Sequence, residues 1–368
     1  MTKKVIAFLK GDVMFTISLV FAVITSFFVP IDLSSVNWHT IFSLMAMMIW
    51  VGYLESAGVL HRISVQLVNK SHSTRALMTA VMLLSFFGAM FLSNDIAILT
   101  LMPIYLRIVK DQTPKLKIIG STLIIMAANS GSVLFPFGKS QNLYMFTYYN
   151  VSVKEFFTWS GSLAVITLIL LWIVTRFIKK EPLKINLRQP DPINKPRVAF
   201  LVAAGVVLIF TIFGWTPFNV VIPIVLLAFF IYSRKMFHMV DFGLLFTFVF
   251  FFITVSNLSR IDFVQETVRT LFDSKQQVMF GTFALSQIIS NVPSTILVSS
   301  FTEHARELFI GSNIGGYGTV MASMANLIGL RVFRQVEPDS TGTFLKLFMA
   351  LNWGMALILL AIFGLGFI

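Results

Sequence analysis

Apolar segments follow one another through the whole sequence, near 13–30, 38–57, 76–92, 96–109, 117–128, 139–150, 158–178, 198–214, 217–233, 240–257, 277–290, 293–302, 305–312, 318–332 and 342–367. A helix needs about 20 apolar residues to cross a bilayer. Several segments meet that length, and several are only half of it. Continuous apolar runs, rather than ten-residue alternations, exclude an outer-membrane barrel. With 57% hydrophobic and only 12% charged residues, a soluble domain of this length is excluded too. The chain reads as an all-α polytopic protein of the cell membrane, with the lipid bilayer as its first partner. Its first run, VMFTISLVFAVITSFFVP, follows Lys3, Lys4 and Lys10 and has no small-x-small cleavage site, so it reads as a retained helix.

Charge then orders the segments. The region 76–109 has Arg62, Lys70 and Arg75 before it and Arg107, Lys110, Lys115 and Lys117 at its other end. Basic residues mark cytoplasmic loops, so both ends lie on one face and the region reads as a re-entrant hairpin. Its tip is Ser93-Asn94-Asp95. A second hairpin spans 277–302, with SNVPST at its tip; neither of its flanks is net basic, which fits the outer face. The loop 179–197, KKEPLKINLRQPDPINKPR, is basic and rich in proline, and reads as a cytoplasmic linker. Crossings are then expected at 13–30, 38–57, 117–150, 158–178, 198–214, 217–233, 240–257, 305–332 and 342–367. The N-terminus is expected in the cytoplasm and the C-terminus outside.

This path predicts an inverted repeat with two re-entrant hairpins and two broken transmembrane helices. Residues 1–178 form the first repeat, with hairpin 76–109 and broken helix 117–150. Residues 179–216 are the linker and an extra helix. Residues 217–368 form the second repeat, with hairpin 277–302 and broken helix 305–332. Such a repeat leaves a sequence trace. Ser93-Asn94 pairs with Ser290-Asn291 at the tips, and ANSGSVLFPFGKSQNL pairs with SNIGGYGTVMASMANL downstream. Asn129 then matches Asn313, Gly131 matches Gly315, Asn142 matches Asn326 and Leu143 matches Leu327.

Backbone that leaves the helix at membrane depth survives only where it is buried in protein or lines a wet cavity. The residue types mark the breaks: Asn129-Ser130-Gly131 with Pro136 and Gly138, then Asn313 with Gly315, Gly316 and Gly318, and Pro293 after Asn291. Broken helices aim free N–H groups at one spot and free carbonyls at another, the first suited to anions and the second to cations. The expected binding set is Ser93, Asn94, Asp95, Asn129, Ser130, Gly131, Lys139, Asn142, Ser290, Asn291, Ser294, Thr295, Asn313, Gly315, Thr319 and Asn326. A carboxylate at mid-membrane is costly, so Asp95 reads as a proton carrier, a cation ligand or a partner of Lys139. Lys139 would neutralise either an anionic substrate or Asp95. Val292 stands where Asp95 stands in the first tip, so the half-sites are chemically unequal.

Other functions lack their residues. The net charge of +12 sits in short loops that set orientation, so nucleic acid is not an expected partner. With no cysteine there is no disulfide, zinc–thiolate site or iron–sulfur cluster. His39, His61, His72, His238 and His304 lie at segment ends without metal-ligand spacing, and Glu55 reads as an interfacial residue. H-E-x-x-H, G-x-S-x-G and P-loop patterns are absent, so no enzyme and no cofactor are expected. Sodium or a proton is the expected coupling ion.

The paired motifs resemble the ion transporter superfamily of arsenite efflux permeases, related sodium/proton antiporters, and citrate and dicarboxylate/sodium symporters. The likeness covers about residues 40–365 and is densest at SNDIAILTLMPI, ANSGSVLFPFGKSQNLYMF, SQIISNVPSTILV and GSNIGGYGTVMASMANLIG. The resemblance implies a scaffold domain, a transport domain holding both hairpins, elevator-type alternating access and a homodimer. The dicarboxylate branch reads Ser-Asn-Thr at both tips; Asp95 makes the first tip look more like the arsenite-permease branch. That branch and its anion-permease relatives often read Pro-Ile-Gly-Asn-Pro-Gln-Asn in the first broken helix. Here the stretch is Pro136-Phe137-Gly138-Lys139-Ser140-Gln141-Asn142, and the added lysine favours an anion. The expected function is secondary active transport of a small anion, a carboxylate or an oxyanion, with a sodium/proton antiporter or arsenite-type efflux permease as the alternative.

Overall fold

A computed structural model describes residues 13–190, 192–232, 237 and 240–366. His238 falls outside them. The described residues form helices and no strand beyond one isolated bridge between Ser73 and Pro182.

In the first half, α1 (Val13–Ser26) and α2 (Trp38–Ser56) are followed by α3 (Val59–Asn69), α4 (Thr74–Leu92) and α5 (Asn94–Ile108). Next come α6 (Pro114–Gly131), a 3-10 turn at Pro136–Gly138, α7 (Ser140–Tyr148) and α8 (Val153–Arg176). After the linker, α9 (Lys195–Ile212) and α10 (Phe218–Tyr232) precede α11 (Phe242–Leu258), α12 (Asp262–Leu271), α13 (Lys275–Ile289) and α14 (Asn291–Ser299). The chain ends with α15 (Ala305–Ile314), a 3-10 turn at Val320–Ala322, α16 (Met324–Val336) and α17 (Thr341–Gly364). From α2 to α8, and again from α11 to α17, the order is the same: apolar helix, short helix, helix–tip–helix, helix–turn–helix, long helix.

Local chemistry explains the boundaries. Asn37, Ser73, Thr113, Ser152 and Ser274 each accept a backbone N–H with their side chain, and so start α2, α4, α6, α8 and α13. Asp32, in the loop after α1, takes hydrogen bonds from the Ser34 hydroxyl and amide and pairs with Arg260 at 2.5 Å. Those bonds, Ser34's first, hold its carboxyl below the usual range.

Among the described residues, lengths and composition let four unbroken helical segments cross a membrane, Thr74–Leu92, Val153–Arg176, Lys195–Ile212 and Pro338–Gly364, or up to six if each bent pair is one span. The path drawn from sequence has nine crossings. The difference lies in its other members. The segments 117–150 and 305–332 are interrupted by their 3-10 turns, and the described parts of α1 and α10 are 14 and 15 residues. The first hairpin arm also differs from a half-membrane element, because α4 has 19 residues and is itself long enough to cross.

Two elements were not foreseen. α3 and α12 are amphipathic helices that turn away from α2 and α11 by 49° and 103°. The linker is not free either. Thr74 and Leu183 donate their amides to Glu181 and His72, Asn69 meets both backbone groups of Leu187, and Arg62 donates to Pro190. The segment lies strapped along the α3–α4 corner.

Packing brings the hairpins together. α4 packs on α6, and α13 on α15, so each hairpin leans on the broken helix that follows it. The second arms cross over: α5 packs on α16, and α14 on α7. The second arms thus tie each hairpin to the opposite half.

Candidate functional site

Both hairpin tips turn at a serine. Ser93 has φ 80° and ψ 156°, and Ser290 has φ 74° and ψ 156°. This region is nearly reserved for glycine and costs a side-chain-bearing residue on the order of 1–3 kcal/mol. Its recurrence at both tips means that the surrounding packing enforces it twice. Each serine carbonyl accepts the first helical bond of the next arm, from Ala97 and from Ser294. The amides of the first turn stay uncapped by the serine side chains.

The breaks repeat a geometry as well. Lys139 (φ −138°, ψ 143°) and Ser323 (φ −146°, ψ 140°) occupy matching places, between a 3-10 turn and a helix whose first turn lacks a side-chain cap. Four asparagines join the two halves. Asn129 donates to Asn326 Oδ1 at 2.9 Å, and Asn313 donates to Asn142 Oδ1 at 2.8 Å. Asn142 and Asn326 in turn donate to the carbonyls that their own breaks release, Val133 in one, Gly316 and Thr319 in the other. Asn129 Oδ1 accepts from Asn94 at 3.2 Å and from Ser323 at 3.4 Å. Asn313 Oδ1 accepts from the Lys139 ammonium at 3.2 Å.

The glycines permit this closeness. A Cβ on Gly131 would run into the Phe86 carbonyl oxygen, and one on Gly315 would meet the Ser286 hydroxyl.

Between the tips lies a cavity of about 460 Å³. Ser93, Asn94, Asp95, Lys139, Ser140 and Asn291 line it, and so do Glu55, Asp241, Ser323 and Arg331. The first turns of α5, α7, α14 and α16 all reach it. Four positive helix ends therefore face one space, which favours an anion. Lys139 is only 5% exposed and brings its amine to the same space. Asp95 Oδ1 is buried and has no hydrogen-bond partner. Lys139 and Asp241 are the charges that act on it, and Lys139 spends its hydrogen bond on Asn313 instead.

Of the residues expected from sequence, Ser93, Asn94, Asp95, Lys139 and Asn291 line the cavity. Asn129, Asn142, Asn313 and Asn326, with Gly131 and Gly315, form the layer behind it. Ser130 bonds the Tyr317 hydroxyl at 2.6 Å, and Ser294 and Thr295 bond back to the Asn291 carbonyl. Thr319 is tied to Gln287 through both its amide and its hydroxyl, and Ser290 lies 3.4 Å from the Ala322 carbonyl. These last five are buried or half-buried polar links around the site. Sequence reasoning missed Ser140, Asp241, Ser323 and Arg331. Ser323 was within reach, because it aligns with Lys139 in the paired stretches. Asp241 and Arg331 carry no local signal, since only tertiary packing brings them to the cavity.

Known proteins resemble this chain along most of its length. The family described as Citrate transporter matches residues 4–306. An uncharacterised transporter of Methanocaldococcus jannaschii is 32% identical over 305 residues, 81% of each chain. The inner membrane protein YbiR of Escherichia coli is 28% identical over 336 residues, 88% of each chain. A protein named arsB in Dictyostelium discoideum is 34% identical over 128 residues, 34% of this chain and 22% of that one. The YdaH transporter of Alcanivorax borkumensis has a similar fold, with TM-score 0.56 at 12% identity, covering 88% of this chain and 85% of that one.

Proposed function

This chain belongs to the citrate transporter family and is an integral, multi-pass membrane transporter, and we propose that it moves a small anion by secondary active transport. The cavity between the hairpin tips is the binding site. One observation carries this reading: four helix N-termini and the Lys139 ammonium face a single space of about 460 Å³. Ser93-Asn94 and Asn291 supply short neutral ligands, and the asparagine layer fixes their positions. Asp95 is the coupling group, taking up a proton or a sodium ion as the anion binds. The two halves are inverted repeats, with hairpins entering from opposite faces. The transport unit built on them slides against a scaffold in an elevator motion, within a homodimer. Glu55 and Asp241 sit at helix ends beside the basic loops, so the cavity faces the cytoplasm here.

Uptake of radiolabelled citrate into proteoliposomes, under an imposed pH or sodium gradient, tests the site. The double variant Asn94→Ala with Asn291→Ala removes a ligand from each tip and is expected to abolish uptake. Uptake at the unaltered rate would refute the assignment.

The acidic side of the cavity favours one second reading, a sodium/proton antiporter or an arsenite-type efflux permease. Asp95, Asp241 and Glu55 outnumber Lys139 and Arg331 among its charged residues. Sodium-driven proton movement that is lost in Asp95→Asn, with no competition from citrate, would favour it.

A further inference from the structure

A second hollow of about 350 Å³ lies between α2–α3 and α5, lined by Glu55, Leu60, His61, Leu99, Thr100 and Pro103, among others. It shares Glu55, Ile96 and Leu99 with the central cavity. The shared wall has a chemistry of its own. Asp95, Leu99 and Pro103 follow at four-residue intervals on one face of α5. Proline has no N–H, so Pro103 withholds the helical bond that would satisfy the Leu99 carbonyl. At a share of about 30 Å³ per water, the hollow has room for roughly ten. Glu55 stands where the two spaces join, and Asp95 Oδ1, buried without a partner, stands one turn from Leu99.

We propose that Glu55 is a proton relay, which delivers protons to Asp95 through this second hollow while the central cavity holds substrate. The inference rests on the reading of Asp95 as the coupling group. The Glu55 carboxylate takes a proton from water that enters the hollow. It passes that proton to water inside, which hands it past the Leu99 carbonyl and the Thr100 hydroxyl to the Asp95 carboxylate. Glu55 returns to its carboxylate form, and one proton has moved from bulk water to Asp95. The charged groups around the endpoints are Lys139 and Asp241 at Asp95, and His61 at Glu55. Arg197 holds the neighbouring Ser56 hydroxyl at 2.6 Å. The route reaches Asp95 along α5 from Leu99, which borders both spaces, and so does not run between the two tips.

Time-resolved infrared spectroscopy of the purified protein after a pH jump tests the relay without any substrate. The carboxyl band that Asp95→Asn removes reports Asp95. In Glu55→Gln that band should keep its amplitude and relax about 100-fold more slowly, the lower range for a positioned proton-transfer group. Glu55→Asp should recover most of the rate, and Thr100→Val should slow it by a smaller factor. Unchanged relaxation in both Glu55→Gln and Thr100→Val would overturn the relay and leave the coupling role of Asp95 intact. If Asp95→Asn removes no titrating band, the coupling role falls first and the relay with it.

Discussion

At the first tip Ser93 turns the chain into Asn94-Asp95; at the second, Ser290 turns it into Asn291-Val292 with nearly the same backbone angles. At the first break a lysine opens α7; at the second a serine opens α16, again with matching angles. Backbone is thus alike wherever it aims a helix end at the cavity. Side chains differ wherever a charge does the chemistry. Both charged members, Asp95 and Lys139, belong to the first half, and the second half offers Val292 and Ser323 at the matching places. At the tips and breaks the first half supplies the ionisable groups and the second the neutral ones, while Asp241 and Arg331 bring charge from the second half at other positions of the cavity wall.

Four experiments would break or sharpen that contrast. The largest effect is expected at a glycine. Gly131→Ala drives a methyl group into the Phe86 carbonyl and should cost about 3 kcal/mol or more, read as a fall in Tm in detergent. Gly315→Ala meets a serine side chain first and should cost less; equal losses would mean that the two closures are equally rigid. Next comes Lys139→Met, which should weaken citrate binding by about 2–3 kcal/mol, or 30- to 150-fold in Kd. Its counterpart Ser323→Ala, whose contact with Asn129 is 3.4 Å long, should change Kd by less than about twofold. Similar losses at both places would break the assignment of charge to one half.

A third test separates coupling from binding. Asp95→Asn should leave citrate binding in place and remove the response of uptake to an imposed ion gradient, whereas Val292→Asn should leave both. A fourth test falls on Lys117 and Glu337, paired at 2.6 Å between the start of α6 and the end of α16. With side chains 11% and 19% exposed, Lys117→Ala should cost more than the ~0–1 kcal/mol of an exposed pair and less than the ~3–5 kcal/mol of a fully buried one. A Tm shift in detergent measures it.

Much of this arrangement is legible in the sequence for a physical reason. A chain that leaves the helix inside a bilayer must use residues that satisfy or tolerate free backbone groups, so the breaks announce themselves as Ser-Asn, Asn-Ser-Gly and Asn-Ile-Gly-Gly. The asparagines are also legible, thirteen residues apart in both halves, because each flanks its break and meets an asparagine of the other half. Asp241 and Arg331 are not legible, since a single charge near a membrane surface looks like any interfacial residue. Glu55 reads as one of these, yet it borders both cavities. The docked linker was hidden too: it joins α3 and α4 through its own backbone groups, which carry no side-chain signature. α3 and α12 could have been found, because VLHRISVQLVN and DFVQETVRTL both carry helical apolar periodicity.

The central claim is that the two hairpins enter the membrane from opposite faces and meet at their tips. The chain has no cysteine, so single-cysteine variants report without background. Lys110→Cys, past the end of the first hairpin, and Lys275→Cys, at the start of the second, can each be labelled with an impermeant maleimide in sealed vesicles of known orientation. The account predicts labelling from the cytoplasmic side at 110 and from the outer side at 275. Labelling of both from the same side would contradict it.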